Sequence, residues 1–315
     1  MAKILLTVVA PVFNEAQVIG EFYRRAREVL NTLSDTEASL LFVVDRSSDG
    51  TLDILRSIAS ADASVTVISL SARFGHQMSL LAGIEHAQAA DAIIMMDSDL
   101  QHPPELIPEL LSAFRAGFDV VYTVREDTQR IGFVRKALGN SFYRLLQYLS
   151  NVQINANAAD FRLISRRVGA LLKDDFRERN MFLRGLFSWI GFNQKAVPFV
   201  AAGRFAGASK YSLSRVLNLA VVGVLSFSTR PLQAGIFLGM GFAGLAFLLL
   251  VAAVILYFID SSIPSGWTTL VGLLLLFSGI QLIVMGIMGT YIGGIYDEVK
   301  SRPRYIVDEI IGQHE

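Results

Sequence analysis

The sequence predicts an α/β domain with a mainly parallel sheet, followed by two membrane-spanning helices. Three observations predict it. Short apolar segments alternate with segments of helical period through the first hundred residues. Polar clusters fall where those apolar segments end. Two long runs near the C-terminus, Pro231–Ile259 and Ser261–Tyr296, carry no charge, and a helix needs about 20 apolar residues to cross the hydrocarbon core.

Residues 4–13 read as the first strand. The run is short, contains Pro11 and leads into Asn14-Glu15 without a small-residue cleavage site, so it reads as a buried strand and not a signal peptide. Helix is expected over 16–33, strand over Leu40–Asp45, helix over Leu52–Ala61, strand over Val65–Leu70, helix over 76–89 and strand over Ala92–Met96. Short apolar strands in such alternation predict a sheet covered on both faces. Lys136–Ser150 carries apolar residues at 138, 142, 145, 146 and 149, the period of a surface helix. Leu213–Thr229 is apolar but broken by Arg215, Asn218 and serines, as in a helix lying at the headgroups.

The spans are expected near Gly235–Phe258 and Leu270–Ile295, with the turn Asp260–Trp267 between them. Arg215 and Arg230 flank one side, and Lys300, Arg302 and Arg304 the other. The positive-inside rule then puts both flanks in the cytoplasm. The expected organisation is a cytosolic catalytic domain over 1–212, an interfacial helix over 213–230, two spans over 231–296 and a cytosolic tail over 297–315. Gly286, Gly289 and Gly293 of the second span would permit close helix packing, within the chain or between copies. Gly239–Gly244 matches GxGxxG, but it lies inside a span and not after a strand, so it is no dinucleotide fingerprint.

Composition narrows the function. Charged residues are 18% of the chain, below the roughly 25% of soluble domains, and mean hydropathy is +0.46. Lys plus Arg equals Asp plus Glu, 28 each, which gives no support for nucleic-acid binding. With no cysteine there is no disulfide framework, thiolate metal site or cysteine nucleophile.

The polar clusters at expected strand ends are Asn14-Glu15, Asp45, and Asp97 with Asp99. In open α/β sheets ligands bind at the carboxyl ends of strands. Asp97-Ser98-Asp99 places two carboxylates where they can share a hard divalent cation, which also takes substrate phosphates as ligands. His76 and His102 lie in nearby loops; isolated histidines of this kind more often make structural hydrogen bonds than ligate metal.

Several segments carry a resemblance. Val9-Ala-Pro-Val-Phe-Asn-Glu15 resembles the opening motif of family 2 glycosyltransferases, and Asp45-Arg-Ser-Ser-Asp-Gly-Thr51 their nucleotide turn. Ser71-Ala-Arg-Phe-Gly-His-Gln77 and Asp97-Ser-Asp-Leu-Gln-His-Pro-Pro-Glu105 are similar to motifs of the polyprenyl-phosphate branch. So are Asp160-Phe-Arg-Leu163, Phe182-Leu-Arg-Gly185, Arg204 with Gly207-Ala-Ser-Lys-Tyr211, and Tyr305-Ile-Val307. That branch includes dolichyl-phosphate mannose synthases, bacterial glucosyltransferases of O-antigen modification and aminoarabinose transferases.

The resemblance implies a GT-A fold, a nucleotide-sugar donor, a polyprenyl phosphate acceptor and Mg²⁺ or Mn²⁺. It implies a nucleoside pocket of Pro11, Asn14, Glu15 and Asp45, with Asp97 and Asp99 holding the donor diphosphate through the metal and Gln101 beside it. Arg125, Arg130, Lys136 and Arg162 are candidates for the acceptor phosphate and leaving diphosphate, as are Arg204, Ser209 and Lys210 before the spans. Asp160 is a site residue without a fixed role. The nucleotide turn departs from the usual Asp-Asp-Gly-Ser, reading Val44-Asp45-Arg46-Ser47, and Ala72-Arg73 replaces the commoner Arg-Asn.

A phosphate acceptor needs no general base, since a monoester is largely dianionic near pH 7. The expected reaction is a single inverting transfer, glucose first among the sugars, with mannose, galactose and aminoarabinose derivatives open. The resemblance also implies a bacterial inner membrane, a homo-oligomer such as a tetramer, and a separate flippase. A processive synthase is disfavoured because its Gln-x-x-Arg-Trp motif is absent; the tryptophans are Trp189 and Trp267. A non-catalytic partner of the same fold is the remaining alternative; a nicotinamide enzyme fails for want of a placed glycine turn.

Overall fold

The structure, a computed structural model, describes residues 3–87, 89–126, 158–176, 178, 183–200, 230–259 and 266–312. The expected helix over 136–150, the interfacial segment 213–229, and Arg130, Lys136, Arg204, Ser209 and Lys210 lie outside the described residues.

Eight strands form one sheet: β1 (Ile4–Val12), β2 (Thr36–Val44), β3 (Val65–Leu70), β4 (Ala92–Met95), β5 (Val120–Arg125), β6 (Ala158–Ser165), β7 (Gln194–Phe199) and β8 (Val307–Ile311). Their order is β7-β5-β6-β4-β1-β2-β3-β8. The helices are α1 (Ile19–Asn31), α2 (Thr51–Ala61), α3 (His76–His86), α4 (Ile107–Arg115), α5 (Arg166–Asp174), α6 (Leu183–Trp189), α7 (Arg230–Ile259) and α8 (Trp267–Val299).

The alternation expected over residues 4–96 is present, and β1 pairs in parallel with both β2 and β4, as β2 does with β3. The sheet as a whole is mixed: β6 runs antiparallel to β4 and β5, and β8 antiparallel to β3.

Strand geometry points successive side chains to opposite faces. Leu6, Val8, Ala10 and Val12 of β1 join one core with Phe22 of α1 and Leu55 of α2. Val9 enters the other core with Leu81 and Ile84 of α3. Both faces are therefore buried, which explains the apolar runs Val8–Val12 of β1 and Leu40–Val44 of β2. Gly83 is required where α3 crosses β1, because a Cβ there would lie 2.1 Å from Val9 Cγ1.

Helices α7 and α8 meet where Gly235 abuts Val284 and where the rings of Phe242 and Phe277 pack edge-on at 5.9 Å, so the two run antiparallel. Many of their described apolar side chains, among them Ile236, Phe247, Leu282 and Ile295, are exposed. Among the described residues, Leu276–Val299 is the stretch long and apolar enough to cross a membrane.

Candidate active site

A cleft of about 370 Å³ opens where the carboxyl ends of β1, β2 and β4 converge. Its walls include Pro11 at the end of β1, Phe13 and Glu15 after it, Asp45 after β2, Arg73 and Gly75 between β3 and α3, His76 at the start of α3, and Asp97, Ser98 and Asp99 after β4. The sheet brings together Pro11, Glu15, Asp45, Asp97 and Asp99, residues up to 88 positions apart in the sequence (99 − 11).

The floor is fixed by hydrogen bonds. Asn14 adopts φ 54°, a left-handed conformation that asparagine tolerates. Its side-chain oxygen accepts from Ser48 N at 2.8 Å, and its backbone N donates to Ser47 Oγ at 3.0 Å. Glu15 N donates to Thr51 Oγ1 at 3.0 Å. The turn after β1 is thus locked to the turn after β2. Ser98 Oγ donates to the Pro11 carbonyl at 3.1 Å, joining the β1 and β4 ends.

Asp45 is buried, and both its oxygens accept backbone N–H groups, from Phe74 at 2.7 Å and Gly75 at 2.9 Å. It braces the loop after β3. Val44 ends β2 fully buried in the core. Arg46 takes φ 30° and donates to the Ser71 carbonyl, so it ties the same loop. Arg73 lies over the Phe13 ring at 4.1 Å, closing one side of the cleft with a cation–π contact.

The β4 end differs. Asp97 N donates to His102 Nδ1 at 2.9 Å, and the His102 ring stacks on Phe161 at 5.3 Å. His102 therefore has a structural role. Asp99 Oδ1 accepts from Gln101 N at 3.0 Å, a tight turn that includes Leu100 at φ 63°. Asp97 Oδ1 is buried and makes no hydrogen bond. A buried polar atom without a partner costs about 1–3 kcal/mol and calls for an explanation.

His76 Nε2 lies 3.5 Å from Asp97 Oδ1 and 3.5 Å from Asp160 Oδ2. Burial opposes its charge most strongly, but the hydrogen bond with Asp160 and the negative charges of Asp97 and Asp160 together raise it to about 9. Arg184 of α6 grips Asp160 with two bonds of 2.7 and 2.8 Å. Burial alone would raise Asp160; His76 and Arg184 outweigh it and hold the carboxyl well below its usual value. Asp97, His76, Asp160 and Arg184 thus form a chain of alternating charge from the cleft into α6.

Arg162 occupies a different position. It is 4% exposed, lies over the Phe187 ring at 4.3 Å and donates to the Ala159 carbonyl at 3.1 Å. Burial lowers it to about 10, so it remains charged at neutral pH. Asn14, Gln101, Asp160 and Arg162 lie outside the residues lining the cleft. Arg125 closes β5 opposite Phe199. Arg73, His76 and Arg184 had no site role in the sequence reading, although the motifs Ser71–Gln77 and Phe182–Gly185 contain them.

The cleft contains four carboxylates, Glu15, Asp45, Asp97 and Asp99. Against them stand the two cations Arg73 and His76, so the lining keeps an excess of negative charge that a bound cation would offset for a diphosphate. The hard oxygen donors of Asp97 and Asp99, with Asp97 Oδ1 free of hydrogen bonds, fit a divalent cation that would keep further positions for water and phosphate. No cluster of three or more metal-ligating side chains occurs among the described residues.

Residues 7–169 match the Glycosyl transferase family 2 profile. The chain is 41% identical to an uncharacterized glycosyltransferase, YkcC, of Bacillus subtilis (strain 168), over 97% of this chain and 94% of that protein. It is 38% identical to the bactoprenol glucosyl transferase of Shigella phage SfII, over 96% and 97% of the two chains. It also resembles the solved glucosyl-3-phosphoglycerate synthase of Mycobacterium tuberculosis, with TM-score 0.46 and 18% identity over 71% of this chain and 79% of that one. With its GT-A sheet and the match across residues 7–169, the chain belongs to glycosyltransferase family 2.

Proposed function

We propose that the protein transfers a single hexose, glucose by preference, from a nucleotide sugar to a polyprenyl phosphate at the cytoplasmic face of a bacterial inner membrane. The observation that carries this reading is a carboxylate cleft with a buried Asp97 oxygen that makes no hydrogen bond, in a chain whose α8 includes a 24-residue apolar stretch. Relatives that match nearly the whole chain are named bactoprenol glucosyl transferases, which supports both the sugar and the lipid.

In this reading Pro11, Glu15 and Asp45 line the nucleoside pocket, with Asn14 fixing the turn beneath. Asp97 and Asp99 would hold Mg²⁺ or Mn²⁺, with Gln101 setting the Asp99 carboxylate. When bound, the cation neutralises the diphosphate and stabilises charge as it leaves. Asp160 acts by fixing His76 and Arg184, whose positive charges face the side where a second anion would arrive. Arg125, Arg130, Lys136, Arg204, Ser209 and Lys210 remain the proposed acceptor-phosphate contacts.

An acceptor phosphate oxygen attacks the anomeric carbon, the bond to the diphosphate breaks, and the nucleoside diphosphate departs with the electron pair. The anomeric centre inverts. Because the phosphate is already ionised, the residues' task is to hold two anions close and aligned. The spans lie within α7 and α8, with the catalytic sheet on the cytoplasmic side. Assembly as a homo-oligomer and export of the product by a separate flippase complete the proposal.

The test supplies radiolabelled UDP- and GDP-sugars to the purified protein with undecaprenyl phosphate and Mg²⁺ or Mn²⁺. Lipid-extractable label from one donor, lost in Asp99→Ala, is expected. No labelled lipid from any donor with folded protein would reject the reading.

A further inference from the structure

The segment following α8 returns to the sheet and fastens there. Chain direction turns at Ser301, with φ 48°. Arg304, five positions past Val299, donates to the Glu85 carboxylate and, at 2.6 Å, to the Phe176 carbonyl. The Tyr305 hydroxyl donates to the other oxygen of Glu85. Ser71 N donates to the Ile306 carbonyl at 2.9 Å. Then β8 pairs with β3 from Val307 opposite Leu70 to Ile311 opposite Val67. Gly312 finishes the strap at φ 85°, where a Cβ would lie 2.4 Å from the Val65 carbonyl.

The Glu85 and Arg304 side chains are only 13% and 16% exposed. Burying such a pair costs desolvation, so its presence is weak grounds for stability and better grounds for a specified geometry. Burial, followed by the bond to Glu85, raises the Tyr305 hydroxyl above its ordinary value, so it stays a donor. None of these groups lines the cleft. Yet each is fastened to an element that leads into it: Glu85 lies in the last turn of the helix α3 that begins at His76, and Ser71 begins the loop carrying Arg73 and Gly75.

We propose that Glu85, Arg304 and Tyr305 are positioning residues that mount the catalytic cleft rigidly on the end of α8, and so fix its height and tilt over the bilayer surface where the acceptor phosphate lies. This rests on the reading of α8 as a membrane helix and of polyprenyl phosphate as acceptor. A loosened mount leaves the cleft chemically intact but lets it sample unproductive orientations toward a headgroup confined to one plane. An acceptor free in solution can follow the cleft and is indifferent to the mount. In-line attack requires reacting atoms about 3–3.5 Å apart in alignment, so orientation appears in turnover before it appears in donor affinity.

The experiment uses full-length protein in liposomes, with Arg304→Ala, Glu85→Gln and Tyr305→Phe. Transfer is measured to undecaprenyl phosphate in the vesicles and, separately, to a short water-soluble prenyl phosphate. For Arg304→Ala, kcat/KM on the vesicle acceptor is expected to fall about tenfold, with donor KM and transfer to the soluble acceptor within about twofold of wild type. Arg304→Lys, which keeps the charge on Glu85, should recover part of the loss. Tyr305→Phe removes one hydroxyl and supplies the comparison if Arg304→Ala lowers the melting temperature enough to prevent assay. Equal losses on both acceptors, a rise in donor KM, or no loss on either would overturn the proposal. If the wild type uses neither acceptor, the acceptor reading itself fails and the mount falls with it; the wild-type arm separates these outcomes.

Discussion

The two ends of the cleft carry carboxylates in opposite circumstances. At the end of β2, Asp45 is buried with each oxygen engaged by a backbone N–H. At the end of β4, Asp97 keeps a buried oxygen with no hydrogen bond while His76 approaches it at 3.5 Å. The first carboxylate is committed to the fold and shapes the loop that faces the nucleoside. The second is held ready for something outside the protein. Position at a strand end is thus not sufficient to identify a ligand-binding carboxylate; the state of its lone pairs decides.

The largest expected effect comes from the β4 end. Asp97→Asn should lower transfer by about a hundredfold or more, since a bound cation contributes several kcal/mol of charge stabilisation. Its midpoint in urea should fall only slightly, because the lost oxygen has no hydrogen bond to forfeit and its ion pair with His76, at 3.5 Å, is partly exposed. A variant that unfolds early while retaining activity would break the contrast.

Arg184→Ala should cost about 3 kcal/mol in chemical denaturation, near the low end for a broken buried pair because the arginine is partly exposed. Asp160 is then left buried beside His76 alone. The pH dependence has a definite sign. The folded-state carboxyl is depressed, so the pair's contribution is present above the unfolded value of about 4 and is lost as pH falls through the depressed value. Wild type and Asp160→Asn should therefore differ most above pH 5 and converge in strong acid.

At the β2 end, Asp45→Ala leaves the N–H groups of Phe74 and Gly75 unpaired. It should cost about 2 kcal/mol and raise donor KM more than it lowers kcat. The smallest effect is expected at Arg46. Arg46→Gly relieves a left-handed conformation costing about 1–2 kcal/mol but removes the bond to the Ser71 carbonyl, so stability should change by less than about 1 kcal/mol. Equal donor KM in this variant would show that the departure at this turn does not set donor choice.

Much of this architecture is legible in the residues. Strands β1 to β4 are mostly apolar because both faces of the sheet are covered, and turn residues mark their ends. Asp97 and Asp99 are legible because a strand end and a two-residue spacing imply shared coordination. The strand β8 is not: Val307-Asp308-Glu309-Ile310-Ile311 follows an apolar helix and reads as a charged tail, since an edge strand buries only part of each side chain. Nor is the contact between Asp160 and Arg184, which depends on α6 folding back across the end of β6. Nor is the burial of Arg162, since β6 is not expected from the sequence: residues 160 and 162 of that strand share a face, and only one can occupy its end. Arg162 then takes the inner place and Asp160 the outer.

The contrast between the two carboxylates is tested most directly by Mn²⁺ binding in the presence of UDP, followed by electron paramagnetic resonance of the free ion. Wild type and Asp45→Asn should bind the ion with affinities within a few-fold of each other when corrected for nucleotide occupancy, whereas Asp97→Asn should lose it. Undiminished Mn²⁺ binding by Asp97→Asn, in a folded protein, would contradict the assignment of the β4 end as the cation site.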